Sequence, residues 1–200
     1  MPLNQQDKEL NLDFSSYFWQ GEKVRLRPLK VEAARQCYDD SLDSPARQFL
    51  QLGVELPSSV EQQKKFLEKY ADCKTVDGTT IFAIENLNGE YVGGISLHGR
   101  SEKNGTFSFG VVISKNYRRK GYAEEAIRIL LKYGFWERRY QKCNSACVEG
   151  NLESVKLHEK LGFKQEGIRR RQFFFNGKFY DEILFGLIRE EFDSQENKLK

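Results

Sequence analysis

The run Lys115-Asn116-Tyr117-Arg118-Arg119-Lys120-Gly121-Tyr122-Ala123-Glu124-Glu125-Ala126 sets cations and a glycine directly ahead of an amphipathic stretch. Upstream, Phe107 to Ile113 reads as a strand. Downstream, Ala123, Ala126, Ile127, Leu130, Leu131 and Phe135 recur at the i, i+3, i+4, i+7 spacing of a one-sided helix that begins near Gly121. The first amides of such a helix lack intrahelical acceptors and sit at the positive end of the macrodipole, so they face whatever anion lies before the turn. Arg118, Arg119 and Lys120 add positive charge, and Gly121 lets a ligand approach the backbone with no Cβ in the way. The chemistry this suits is phosphate binding; the competing reading is an ordinary solvated basic turn. The Gly-Lys-Ser/Thr ending of a P-loop is missing, and so is the three-glycine spacing of a dinucleotide fingerprint.

About one strand later comes Asn151-Leu152-Glu153-Ser154-Val155-Lys156-Leu157-His158-Glu159-Lys160-Leu161-Gly162-Phe163. Asn151 is a good N-cap, Val155 and Leu161 mark an inward stripe with Leu152 and His158 beside it, and Gly162 suits a left-handed stop. Arg118-x-x-Gly121-x-Ala123 followed by Asn151-x-x-Ser154-x-x-Leu157-x-x-x-Leu161-Gly162-Phe163 resembles the acetyl-CoA-binding core of the GNAT superfamily of N-acetyltransferases. The resemblance runs from about Val24 to Phe192. Its later part, with a long hairpin at Arg169 to Phe185, looks most like the branch of ribosomal-protein-alanine and spermidine N-acetyltransferases.

The resemblance implies that the turn Arg118, Arg119, Lys120, Gly121, Tyr122, Ala123 wraps the CoA pyrophosphate. It also implies that Val111, Val112 and Ile113 lie along the pantetheine arm where a bulge splays the sheet, and that Asn151 and Ser154 meet the cofactor. It implies direct attack of a primary amine on the acetyl thioester, with no acyl-enzyme. Many relatives carry a glutamate base two residues before the glycine of the central strand; here Ser108 stands there, ahead of Gly110, which leaves a water chain or a carboxylate such as Glu85 as candidates. Many relatives also supply a tyrosine to the departing thiolate, and at that place this chain has His158. A histidine can give and retake a proton near neutrality, or it can simply fill space between helix and sheet.

The 200 residues suit one domain, with a core at about 22–192 and weakly specified termini, and the net charge of +3 comes from 32 basic and 29 acidic side chains, which dictates no polyanionic partner. Met1 to Asp13 is polar and does not read as a signal peptide, and the expectation is a cytoplasmic protein away from membranes. Cys143 and Cys147 fall on one face of one strand at about 3.3 Å per residue, roughly 13 Å apart, too far to bridge. No Cys/His cluster has metal-ligand spacing, so no metal is expected.

Val24 to Leu29 alternates as a first strand, 31–42 reads as a helix, and Ser58-Ser59-Val60-Glu61 has the form of a capping box before a helix at 61–70. Strands follow at 79–86, 90–98 and 105–113, with Asn88-Gly89 and Asn104-Gly105 between them, and Asn176-Gly177 announces a late hairpin. The strand, helix, strand order of Phe107 to Val148 demands a parallel crossover. The expected fold is therefore a single three-layer α/β domain: a mixed, mostly antiparallel sheet with a splayed parallel central pair and helices on both faces. The tail from Ser194 is polar and expected to fray.

The alternatives are an acetyl-CoA-binding pseudoenzyme, raised by Ser108, and a nucleic-acid module, raised by cations beside aromatics at 115–122 and 168–175. Phe173, Phe174 and Phe175 cannot all face one side of a strand, so at least one should line an acceptor pocket or a homodimer contact. The segment 41–59 and the late hairpin are expected to shape the acceptor site. Asp39, Asp40, Asp43 and Glu55 read there either as polyamine-attracting groups or as solvated surface charges.

Overall fold

The computed structural model describes residues 13–51 and 53–198. The expectation of a polar, leaderless start at Met1 to Asp13 lies almost wholly outside them. The described chain forms two compact units, residues 13–42, 58–98 and 110–130 in the first and 43–57, 99–109 and 131–198 in the second.

In the first unit β1 (Val24–Pro28) pairs antiparallel with β3 (Thr79–Asn86), β3 pairs with β4 (Tyr91–Ser101), and the two-residue β2 (Thr75–Val76) caps the end of β3. One face of these strands is covered by α1 (Ala34–Ser41), which follows a 3-10 turn, and by α3 (Val60–Tyr70). Leu29, Ala33, Ala34, Leu67 and Ala83 bury together there, with Ile81 and Tyr91 packed against them. The capping box of α3 lies one residue later than the sequence suggests. Ser59 Oγ accepts from Gln62 N (3.2 Å) while Gln62 Oε1 accepts from Ser59 N (3.0 Å), and Ser58 Oγ instead takes a bond from Gln63.

β5 (Thr106–Ile113) runs through both units, as does α4 (Tyr122–Lys132), which begins one residue after Gly121 as expected. In the second unit β5 lies parallel to β6 (Lys142–Val148), β6 antiparallel to β8 (Lys178–Ile188), and β8 antiparallel to β7 (Lys164–Phe175). The strand order is β1-β3-β4-β5-β6-β8-β7, with β2 off the path. The β5–β6 ladder holds at Thr106, Phe107 and Ser108 opposite Lys142, Cys143 and Asn144 and ends there, although both strands run on, so the splayed parallel pair is present.

The second unit's core gathers on Phe107, which is fully buried against Phe135 (5.4 Å between centroids) and stacked on Tyr140 (5.2 Å). Gly134 in the π turn Tyr133–Glu137 is obligatory, because any Cβ there would run into the Phe107 ring. Cys143 and Cys147 are free and buried, and burial holds the Cys143 thiol well above its usual range. Asn176 (φ 51) and Gly177 (φ 74) take the left-handed pair of conformations that a tight hairpin needs. Phe175 is buried and Phe174 exposed, as strand alternation requires.

Two elements depart from the sequence reading. The segment 41–59 contains α2 (Ser44–Gln51), signalled by Pro45 in its first turn; Gln48 exchanges side-chain amide bonds with Asn176 (3.0 and 3.1 Å), and Phe49 meets Phe175 edge-on. The tail does not fray at Ser194, because α6 (Arg189–Lys198) buries Phe192 against Phe135 and sets Glu196 3.1 Å from Lys132.

Candidate active site

The basic turn belongs to the first unit. Lys115–Tyr117 form a 3-10 turn, Arg119 takes φ +62, and Gly121 takes φ +82, a left-handed conformation that glycine adopts without cost. The carbonyl of Gly121 accepts from Glu125 N (3.2 Å), so Gly121 is the residue that opens α4. Arg118 is half-buried, and its Nε donates to the Ile113 carbonyl (3.0 Å): the side chain holds the turn to the end of β5. Arg119 and Lys120 are exposed, with Lys120 Nζ over the Tyr117 ring at 5.2 Å.

Two further groups complete the turn and were not legible in the sequence. A Cβ at Gly121 would fall 2.9 Å from Lys23 Nζ, so Lys23 is another cation at this spot. Glu125, in the first turn of α4, accepts from the amides of Glu22 (2.9 Å), Lys23 (2.7 Å) and Val24 (2.7 Å), which fastens the start of β1 beside it. An open cavity of about 360 Å³ is lined by Glu22, Lys23, Asn86, Leu87, Asn88, Lys120 and Tyr122.

Val111, Val112 and Ile113 are half-buried on β5 rather than sealed in the core. At Gly93 a Cβ would strike the Val112 carbonyl, so this glycine lets the two strands approach. Ser114, buried just beyond, donates to Asp40 (2.6 Å), whose carboxyl is raised above its ordinary value by burial against the opposing pull of Ser114, Gln36 and Arg118. Asp40 is thus a half-buried partner of the turn and not a solvated charge. Glu85, one sequence candidate for the base, is committed to Arg25 Nε at 2.8 Å.

The remaining expected residues lie in the second unit. Asn151 caps α5 (Leu152–Lys160) by accepting from Ser154 N (3.2 Å), and the helix stops at Gly162 (φ +79) with Phe163 N bonded back to the His158 carbonyl (2.9 Å). Leu152 is 66% exposed, so the inward position is held by His158, at 4%. His158 stacks on Phe185 (4.6 Å, 12°) and on Phe109 (6.0 Å). Its Nδ1 sits 2.7 Å from the Ser154 carbonyl, which can only accept, so Nδ1 carries the proton; Nε2, 2.7 Å from Ser145 Oγ, then accepts from that hydroxyl. Burial holds the ring below its usual basicity. In this tautomer Nε2 has no proton to give. Ser108 is half-buried, its Oγ 3.1 Å from the place a Cβ on Gly99 would take, and a neutral hydroxyl is too weak a base to remove an ammonium proton, although it can accept a hydrogen bond from one.

His158→Phe should retain the stacking and strand the Ser145 hydroxyl, costing about 1–3 kcal/mol. Urea unfolding measures it; a variant as stable as the wild type would show that the Ser145 bond contributes nothing. Among the described residues no helix is long and apolar enough to cross a membrane, and no group of three or more His, Cys, Asp or Glu could hold a metal ion.

This sheet, with its interrupted parallel ladder and a glycine-opened helix after the central strand, is that of an acetyltransferase. The family description "Acetyltransferase (GNAT) domain" matches residues 23–164, and the chain belongs to that family. It is 35% identical over 176 residues to the SPbeta prophage-derived N-acetyltransferase YokL of Bacillus subtilis, covering 88% of this chain and 96% of the relative. It is 25% identical over 169 residues to the spermidine N(1)-acetyltransferase of Escherichia coli, covering 84% and 88%. The crystal structure of spermidine N-acetyltransferase from Vibrio cholerae in complex with CoA and spermine superposes with a TM-score of 0.73 at 20% identity, over 86% of this chain and 99% of that one.

Proposed function

We propose that this N-acetyltransferase moves an acetyl group from acetyl-CoA directly onto a primary amine of a cytoplasmic acceptor: a polyamine, a protein N-terminus or another small amine. The observation that carries the reading is the Gly121 turn. A glycine at φ +82 opens α4, and Arg119, Lys120 and Lys23 supply positive charge at the same place. That arrangement suits a pyrophosphate, and we assign it to Arg118, Arg119, Lys120, Gly121, Tyr122 and Ala123. We assign the pantetheine arm to the backbone of Val111, Val112 and Ile113, where β5 has left its ladder with β6, and we assign Asn151 and Ser154 to the cofactor on the family resemblance. No acyl-enzyme is needed, because the amine lone pair can attack the thioester carbon itself.

His158, neutral and held at both nitrogens, acts in this proposal by orienting Ser145 rather than as the acid, so turnover of His158→Phe should fall less than about tenfold, below the range of lost general acid catalysis. Polyamines head the acceptor panel because the Escherichia coli relative is named for spermidine and the Vibrio cholerae complex holds spermine. The test is thermal: acetyl-CoA at about 100 times its Kd should add about 2.7 kcal/mol and raise Tm by roughly 5–10 °C. Release of free CoA thiol across spermidine, spermine, alanyl peptides and aminoglycosides then names the acceptor. No melting shift would refute the cofactor assignment. Binding without acetylation of any amine would favour an acetyl-CoA-sensing pseudoenzyme, the reading that Ser108 in the usual base position supports.

A further inference from the structure

Ser96 and His98 lie on β4, on the sheet face that carries α1 and α3: Ser96 stands opposite Ile81, which packs on the Leu29, Ala33 and Leu67 cluster. Across the other edge is Gly110 of β5. Gly110 N donates to Ser96 Oγ (3.2 Å), and Ser96 Oγ donates to the Gly110 carbonyl (3.4 Å). A Cβ at Gly110 would crowd Ser96 Oγ at 3.1 Å and would lie 3.7 Å from His98 Cε1, an ordinary contact distance, so the imidazole sits next to Gly110 of the central strand.

Ser96 Oγ is 3.2 Å from His98 Nδ1. Ser96 Oγ has one proton for two acceptors, the Gly110 carbonyl (3.4 Å) and His98 Nδ1 (3.2 Å); with that proton on the carbonyl, Nδ1 is the donor of the pair and the ring's lone pair lies on Nε2, the tautomer taken below. Among the described residues, the strand neighbours set against it are uncharged: Ser96 on its own strand, Gly110 on β5 and, continuing the register, Thr79 on β3. His98 is half-buried, and burial lowers its basicity from the ordinary 6.5, which leaves a neutral ring at pH 7.

We infer that His98 Nε2 is the proton acceptor for the attacking amine and that Ser96 is the positioning residue that fixes its tautomer. The inference rests on the acetyl-CoA reading above. With the pyrophosphate at Gly121 and the pantetheine arm running back along Ile113 to Val111, the thioester arrives next at Gly110, against which His98 lies. The amine, neutral before attack, forms its C–N bond with its own lone pair, and the nitrogen becomes strongly acidic as it gains positive charge. Nε2 takes that proton, the C–S bond breaks with its electron pair on sulfur, and the thiolate takes a proton from water. His98 then releases its proton to solvent. Amine and acetyl-CoA have become amide and CoA thiol.

The experiment compares wild type, His98→Gln and Ser96→Ala, using whichever amine of the panel the wild type acetylates fastest. His98→Gln should lower kcat/KM about 10²–10⁴-fold while the acetyl-CoA melting shift stays within that of the wild type. The acid side of the wild-type kcat/KM profile should show two ionisations, the amine's and His98's, and the variant only the amine's. Ser96→Ala should act mainly on kcat by freeing the ring to flip. Unchanged kinetics and an unchanged acid limb in His98→Gln would overturn the assignment while leaving the acetyltransferase reading intact. A wild type that binds no acetyl-CoA, or acetylates no amine, would overturn both.

Discussion

Gly121→Glu should reduce acetyl-CoA affinity by about 10²-fold or more while the protein stays folded. Gly121 sits at φ +82, where a Cβ costs roughly 1–2 kcal/mol, and a side chain there would meet Lys23 Nζ at 2.9 Å. A glutamate would pair with that lysine and set a carboxylate in front of the first amides of α4, filling with a fixed anion the space proposed for the pyrophosphate. At about 1.4 kcal/mol per tenfold, loss of one cation and gain of one repulsive charge account for a hundredfold change. Gly121→Ala separates the causes, since it adds strain and displaces Lys23 without bringing charge, and should lose far less. Calorimetric titration with acetyl-CoA reads both variants. A folded Gly121→Glu protein with wild-type affinity would end the phosphate assignment.

The elements of the fold were legible where a local rule fixes them. Asn151 caps its helix, Gly162 ends it in the left-handed region, and Asn176-Gly177 turns the hairpin, because each needs only its own residue type and near neighbours. The capping box slipped by one residue because Ser58 and Ser59 both have a partner three positions on, and the pattern does not choose between Glu61 and Gln62, which are both exposed. The last helix was missed because its polar stretch carries one apolar residue, Phe192, as its anchor, and its Glu196 meets Lys132 from another part of the chain. His98 hides in a strand pattern, Tyr91 to Ser101, whose alternation says only which residues share a face, and its contact with Gly110 is a property of the pairing. Glu125 reads in isolation as one more acidic residue of a helix start. What it does depends on amides about a hundred residues earlier, which no spacing rule reports.

That carboxylate carries the second large effect: Glu125→Ala should destabilise the protein by about 2–4 kcal/mol, lowering Tm by roughly 5–15 °C, and should weaken acetyl-CoA binding as well. Its two oxygens accept from three consecutive amides, Oε1 from Glu22 and Oε2 from Lys23 and Val24, and bonds to a charged acceptor are among the stronger ones. Gly21 is part of the device, since a Cβ there would fall 2.5 Å from Glu125 Cδ. Water can replace the bonds at Glu22 and Lys23, which are exposed, but less well at buried Val24, and this sets the lower end of the range. Glu125→Gln discriminates further: one oxygen can still serve Lys23 and Val24, whereas the amide nitrogen would confront the Glu22 N–H donor to donor, so the loss should be intermediate. Because the same contact holds Lys23 beside Gly121, the stability loss and the affinity loss should rise together from Gln to Ala. Should Glu125→Ala unfold within about 0.5 kcal/mol of the wild type, an ordinary surface effect, the three-amide clasp contributes nothing and Lys23 is positioned by other means.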